Sequence, residues 1–193
     1  QALNLNDSGV EVQIGLREGS KRNKNVLSEG LICKSIAEIV EKCDIISLLV
    51  PDQVMGDVYK ESIDPYLHDG QTLLFSHGYN IHYNIIQPPK HVNMVMVAPS
   101  GAGSEVRKQY KKGMGIPGLI AIHQDYTGDS FDLALSYSKA IGLTRLGVFQ
   151  STFKEETETD LFGEQIILTG GIPKLIQSSY KVLLEGGYSP ITA

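Results

Sequence analysis

The chain has 193 residues, 41% hydrophobic and 20% charged, with a formal net charge of -5. That length and balance can bury a core, and they exclude disordered, collagenous and disulfide-stapled classes. The 17 basic residues are scattered and outnumbered, which argues against a nucleic-acid surface, and no apolar run approaches the roughly 20 residues of a membrane span.

Small-molecule chemistry in the cytoplasm is the class that remains. Cys33 and Cys43 have neither CxxC spacing nor the density of a secreted scaffold, and are expected as buried thiols in a reducing compartment. The N-terminus lacks the layout of a signal peptide. Gln1 to Leu5 reads as the last turns of a helix ending near Asp7-Ser8-Gly9, without a cap or an initiator methionine, so the chain is expected to begin upstream.

Val10 to Leu16 alternates as a strand does, and a short amphipathic helix over Glu38 to Lys42 leads into Asp44 to Val50. That run is almost wholly apolar or β-branched, the pattern of a strand covered on both faces. Thr72 to Ser76, Met94 to Ala98 and Leu119 to Ile122 are further strands, separated by turns or helical stretches. Strands alternating with helices predict an α/β fold: a Rossmann-like, doubly wound, mostly parallel sheet. After Val148 a charged segment, Thr152 to Glu164, is followed by Ile166 to Ser179 and a helical run to Gly186-Gly187. Helix follows helix there, predicting residues 1–151 as one domain and 152–193 as the start of an all-helical C-terminal domain.

Four strands run into loops: Arg17-Glu18-Gly19-Ser20, Pro51-Asp52-Gln53, His77-Gly78-Tyr79-Asn80 and Pro99-Ser100-Gly101-Ala102-Gly103. Each alone reads as a turn. Together they predict a crevice, because open α/β sheets bind ligands beyond the carboxyl ends of their strands. In the first loop Arg17, Ser20, Lys21 and Arg22 suit a ribose 2′-phosphate through charge-assisted hydrogen bonds, whereas an acidic residue would suit a free 2′-hydroxyl. NADP(H) is favoured over NAD(H) on that reading, and a solvated basic turn is the other.

Thr152 and Glu155 form a capping-box pattern that starts a helix near Phe153. On an α-helix Asp160 and Glu164, four apart, share a face, and two carboxylates at that spacing suit a hard cation such as Mg²⁺. Exposed acidic pairs are common. This one is set apart by Leu161 and Phe162 beside it, by Gly163, and by its place at a domain change. His77, at the carboxyl end of a central strand, fits a general base or a structural histidine; His82 falls inside the next helix.

Phe153-Lys-Glu-Glu-Thr-Glu-Thr-Asp160-Leu-Phe-Gly-Glu164-Gln165, with Gly15-Leu-Arg-Glu-Gly-Ser20, Ser76-His-Gly-Tyr-Asn-Ile-His-Tyr83 and Val97-Ala-Pro99, resembles ketol-acid reductoisomerase, also called acetohydroxyacid isomeroreductase, truncated at both ends. The resemblance runs from Gln1 to Ala193. It implies metal ligation by Asp160 and Glu164, with two Mg²⁺ ions per complete site, and His77 as the active-site histidine. It also implies a grip on the adenosine phosphate by Arg17, Ser20 and Arg22, a cofactor-contacting turn over Asp52, Gln53, Val54 and Met55, and close cofactor approach at Gly103. The implied reaction is magnesium-dependent alkyl migration with NADPH reduction of 2-hydroxy-3-keto acid substrates, in branched-chain amino-acid biosynthesis. The implied partners are those small molecules and, through the helical domain, a second copy of the complete protein.

Two departures accompany the resemblance. Ser100 stands where the family commonly has a lysine, and a neutral hydroxyl cannot supply that charge. The glycine-rich fingerprint and the rest of the helical domain lie outside the 193 residues, so this stretch alone is expected to show no turnover. Two other classes fit parts of the pattern: a metal-free NADP-dependent hydroxyacid-type dehydrogenase, and a non-catalytic nucleotide-binding module.

Overall fold

The computed structural model describes residues 1–193, which form two compact units, Gln1–Lys154 and Glu155–Ala193. In the first unit, β1 (Gln13–Gly15) pairs in parallel with β2 (Ile32–Lys34). A separate sheet has the order β3 (Ile45–Leu48), β4 (Thr72–Phe75), β5 (Asn93–Pro99), β6 (Gly118–Gln124), β7 (Val148–Gln150). The helices of this unit are α1 (Ala2–Asp7), α2 (Asn23–Ser28), α3 (Ile36–Val40), α4 (Asp52–Ser62), α5 (Tyr79–His82), α6 (Gly103–Lys111) and α7 (Ser130–Ala140). The architecture is Rossmann-like, with helices on both faces of a mostly parallel sheet.

Beyond Thr72 and Asn93 at their first positions, the central strands β4 and β5 are apolar throughout, because both faces are covered. Successive side chains of a strand point to opposite faces. Leu73, Phe75, Met94 and Met96 therefore join Ile39, Val40, Met55, Tyr59 and Phe153 in one core. Leu74, Val95 and Val97 join Leu5, Val106, Ala134, Tyr137, Ile141 and Leu143 in the other. Phe153 meets Phe75 edge-on at 6.1 Å between ring centroids and His123 at 5.6 Å, the favoured geometry for aromatic pairs. Helix α3 starts at a complete capping box, Ser35 accepting from the Glu38 amide while Glu38 accepts from that of Ser35.

The structure corrects several expectations. β6 runs antiparallel to β5: Pro99 lies opposite Gly118, and the Ser100 amide donates to the Pro117 carbonyl at 2.9 Å. The chain thus leaves β5 and enters β6 at the same edge. The strand expected over Val10 to Leu16 shrinks to Gln13–Gly15, because β2 offers only three partners. The run Asp44 to Val50 is not covered throughout. β3 is the outer strand of its sheet, and Ile45, Leu49 and Val50 are 37%, 50% and 37% exposed. Cys33 and Cys43 are half-buried rather than buried, since each lies at the margin of the sheet region. A strand, β7, also precedes the helices that follow Val148.

The second unit contains most of α8 (Phe153–Phe162), then a π-helical segment (Gly163–Gly171) and α9 (Ile172–Glu185). The wide turn has a sequence cause. A Cβ at Gly170 would come within 2.5 Å of the Gln165 carbonyl oxygen, and one at Gly171 within 2.6 Å of that of Ile166. Glycine at both positions lets carbonyls five residues back close the π turn, and the Thr169 hydroxyl adds a 2.8 Å bond to the Glu164 carbonyl. No helix of the chain is long and apolar enough to cross a membrane.

Candidate functional site

Within the first unit, the loops after β3, β4 and β5 share one edge because these strands are parallel. Helix α4 begins directly after Pro51. Its first residue, Asp52, is half-buried and accepts from Asn80 Nδ2 at 3.1 Å. Asn80 is fully buried on α5 and also donates to the Asp52 carbonyl at 3.3 Å. The turn after β3 is thereby fastened to the helix after β4. Gln53 and Val54 are exposed on that turn, while Met55 faces the core.

His77 follows β4 and is half-buried, stacked on Tyr79 with a 20° angle between the rings. Its neighbour Ser76 is held by a polar relay. Ser47 on β3 lies 3.3 Å from the Tyr137 hydroxyl, Tyr137 donates to Gln1 Oε1 at 2.8 Å, and Gln1 Nε2 donates to Ser76 Oγ at 2.8 Å. Burial pushes the Tyr137 hydroxyl up from its ordinary pKa, so it remains a donor. His82 is the last residue of α5, tilted against Tyr83 at 4.7 Å.

The loop after β1 is a tight turn, with the Ser20 amide donating to the Arg17 carbonyl at 3.1 Å and Gly19 at φ 71°. Ser20 Oγ accepts from the Arg22 amide at 3.3 Å, so its hydroxyl hydrogen is directed elsewhere. Arg17 and Arg22 are exposed. Two guanidinium groups and a hydroxyl around one turn form a donor set for a phosphate. Gly103 opens α6, and a Cβ there would meet nothing within 4 Å, so the space beside this backbone is open. Ser100 is exposed on the same loop.

In the second unit, Asp160 lies on α8 and Glu164 in the π-helical segment, so the four-residue spacing between them is not the α-helical one. The α-helical partner of Asp160 is Glu156. Their carboxylates approach within 4.8 Å, and Glu156 is 4% exposed. Close carboxylates are hard oxygen donors, and one of them buried suits a divalent cation such as Mg²⁺. The sequence reading pairs Asp160 forward with Glu164 and does not name Glu156, its backward neighbour on α8. The signal was present as ExxxD, four residues earlier.

Comparison with known proteins adds two family matches. The family model described as "Acetohydroxy acid isomeroreductase, NADPH-binding domain" covers residues 1–147, and "Ketol-acid reductoisomerase, C-terminal domain" covers residues 153–193. The chain is 52% identical over 190 residues to a ketol-acid reductoisomerase (NADP(+)) of Methanocaldococcus jannaschii, and 51% identical to that of Methanosphaera stadtmanae. Each alignment takes in 98% of this chain and 58% of the relative, so the chain spans little over half the length of the curated relatives it matches. A solved NADH-preferring ketol-acid reductoisomerase from an uncultured archaeon superposes with a TM-score of 0.92 at 40% identity, over 98% of this chain and 59% of that one.

Proposed function

This chain belongs to the ketol-acid reductoisomerase family, and from that premise we propose that it supplies the NADPH-binding domain and part of the magnesium site of such an enzyme. The complete protein then converts 2-acetolactate or 2-aceto-2-hydroxybutyrate into 2,3-dihydroxy acids, by alkyl migration and hydride transfer, in branched-chain amino-acid biosynthesis. The observation that carries this reading is the pair of close carboxylates, Glu156 and Asp160, on the first helix after the sheet domain.

In this reading Asp160 and Glu164 hold metal, with two Mg²⁺ ions per complete site, and the carboxylate of Glu156 offers a further oxygen donor close to that of Asp160. Bound Mg²⁺ supplies Lewis-acid polarisation of substrate oxygens. His77 accepts or returns a proton from its place at the carboxyl end of β4. Arg17, Ser20 and Arg22 bind the 2′-phosphate of NADPH, the turn from Asp52 to Met55 meets the cofactor through its backbone and exposed side chains, and Gly103 leaves room for it. The functional boundary lies at residues 151–152. The enzyme works in the cytoplasm as a homo-oligomer joined through its helical domain. Exposed apolar side chains along α9, such as Leu175, Ile176 and Val182, support that last point.

The test is made on the complete protein encoded by the gene. Acetolactate, NADPH and Mg²⁺ should give steady loss of cofactor absorbance, and Asp160→Asn should abolish it while leaving the circular dichroism spectrum unchanged. Turnover by Asp160→Asn at the parent rate in low Mg²⁺ would remove the metal assignment.

A further inference from the structure

Side chains alternate along a strand, so Ser76, directly after β4, points to the side of Leu74, toward α1 and α7, and away from Phe75. There Tyr137, 6% exposed, donates to Gln1 Oε1 at 2.8 Å, and Gln1 Nε2 donates to Ser76 Oγ at 2.8 Å. We propose that this relay presets Ser76 as a hydrogen-bond donor to the nicotinamide riboside half of bound NADPH, with Tyr137 as the residue that positions it. The proposal rests on the NADPH reading above and assigns one more contact within it.

The relay has a direction. Ser47 Oγ lies 3.3 Å from the Tyr137 hydroxyl, farther than Gln1 Oε1, so the phenolic hydrogen goes to Gln1. An amide whose oxygen faces one partner offers its N–H groups on the other side, and Gln1 accordingly turns Nε2 to Ser76. Ser76 therefore accepts, and its own hydrogen is not donated within the chain. The other polar side chains of this layer behave differently. Asn4 donates to the Ile141 carbonyl at 3.0 Å, Ser138 to that of Ala134 at 2.7 Å and Ser8 to that of Ala140 at 2.7 Å. Those bonds close on α7 and its C-terminus. The relay from Tyr137 runs instead to a half-buried hydroxyl at the carboxyl end of β4, beside His77, the edge at which open α/β sheets bind ligands.

Order along the sheet selects the half of the cofactor. In the reading above Arg17, Ser20 and Arg22, after β1, bind the 2′-phosphate, and the turn from Asp52 to Met55 follows β3. β4 is the next strand beyond β3, about 4.8 Å further on. A dinucleotide anchored by its adenosine phosphate near β1 and extended across β3 brings its other end, the nicotinamide riboside, to β4. That end carries the acceptors a serine hydroxyl needs, namely the carboxamide oxygen and the ribose hydroxyls.

Ligand titration of the gene's complete protein tests this without catalysis. The probes are NADPH, followed by its fluorescence, and adenosine 2′,5′-bisphosphate, followed by calorimetry, which keeps the adenosine end and lacks the nicotinamide riboside. Ser76→Ala should weaken NADPH binding roughly 3–10-fold, the effect of one neutral hydrogen bond, and leave the bisphosphate unchanged. Equal weakening of both ligands would make Ser76 a structural residue and overturn the proposal, as would no change in either. A parent that binds both ligands while Ser76→Ala changes nothing loses only this contact; a parent that binds neither loses the NADPH reading with it. The thionicotinamide analogue of the cofactor locates the acceptor. The gap between parent and Ser76→Ala shrinks for the analogue if the carboxamide oxygen is the partner and persists if a ribose hydroxyl is. Tyr137→Phe removes one oxygen and keeps the packed ring. It should weaken NADPH about 2–5-fold and add nothing to Ser76→Ala in the double variant, since the two act through one bond. Additive losses would show that Tyr137 does not act through Ser76.

Discussion

Asn80 reaches from α5 to Asp52 on α4, donating at 3.1 Å to its carboxylate and at 3.3 Å to its carbonyl, and so couples the loops that follow β3 and β4. Asn80 is fully buried, so losing its side chain leaves a void and takes the donor from both the Asp52 carboxylate and its carbonyl. Asn80→Ala is expected to cost about 1–3 kcal/mol in urea unfolding. It should also raise the Kd for NADPH in the complete protein, because the turn at Asp52 loses its anchor. Unchanged stability would show that the two loops are held by something else.

Arg17 and Arg22 flank the Ser20 turn, and removing both guanidinium groups should weaken NADPH binding while sparing NADH. A charge-assisted hydrogen bond contributes roughly 1.5–3 kcal/mol, so the double alanine variant should lower the ratio of kcat/KM for NADPH over NADH by tenfold or more. Steady-state kinetics on the complete protein with each cofactor checks this. A ratio that does not move places the 2′-phosphate elsewhere.

Asp125 follows β6 and accepts from the Gly128 amide at 2.8 Å and from the Ser130 hydroxyl at 2.6 Å, organising the entry to α7. The Ser130 hydroxyl, ahead of the two backbone donors, holds this carboxyl below its ordinary value of 3.8. A carboxyl whose folded pKa is depressed contributes stability that is present above the unfolded pKa and is lost as pH falls through the folded one. Asp125→Ala should therefore destabilise most at neutral pH, with the gap narrowing as pH drops below 3.8. Denaturation midpoints of parent and variant at pH 7 and near pH 3 should converge at the lower value; a constant gap would show that charge plays no part.

The strands β4 and β5 were legible because burial on both faces removes the need for polar alternation, and β3 and β6 because they carry runs of apolar and β-branched residues. β2 and β7 were not: with three residues each, they offer no periodicity to read. The direction of β6 was also hidden, since Leu119 to Ile122 carries the same residues whichever way it runs. The candidate loops could be located because Gly, Pro and polar residues interrupt the pattern at each strand end. The Glu156–Asp160 spacing is also present in the sequence, but the departure from α-helical geometry at Glu164 was hidden, because the close backbone approach it needs is made by Gly170 and Gly171 several residues downstream.

The reversed strand β6 divides labour between the two rims of the sheet. Its exit loop, Asp125 to Asp129, emerges at the rim where β5 begins, with Asn93 accepting from the Tyr126 amide at 2.7 Å and donating to Thr127 at 2.9 Å. The loops after β3, β4 and β5 occupy the opposite rim. A fluorescent reporter grafted at Gly128 would accordingly report on the rim away from the loops after β3, β4 and β5, giving this sheet a built-in reference channel for the proposed ligand site.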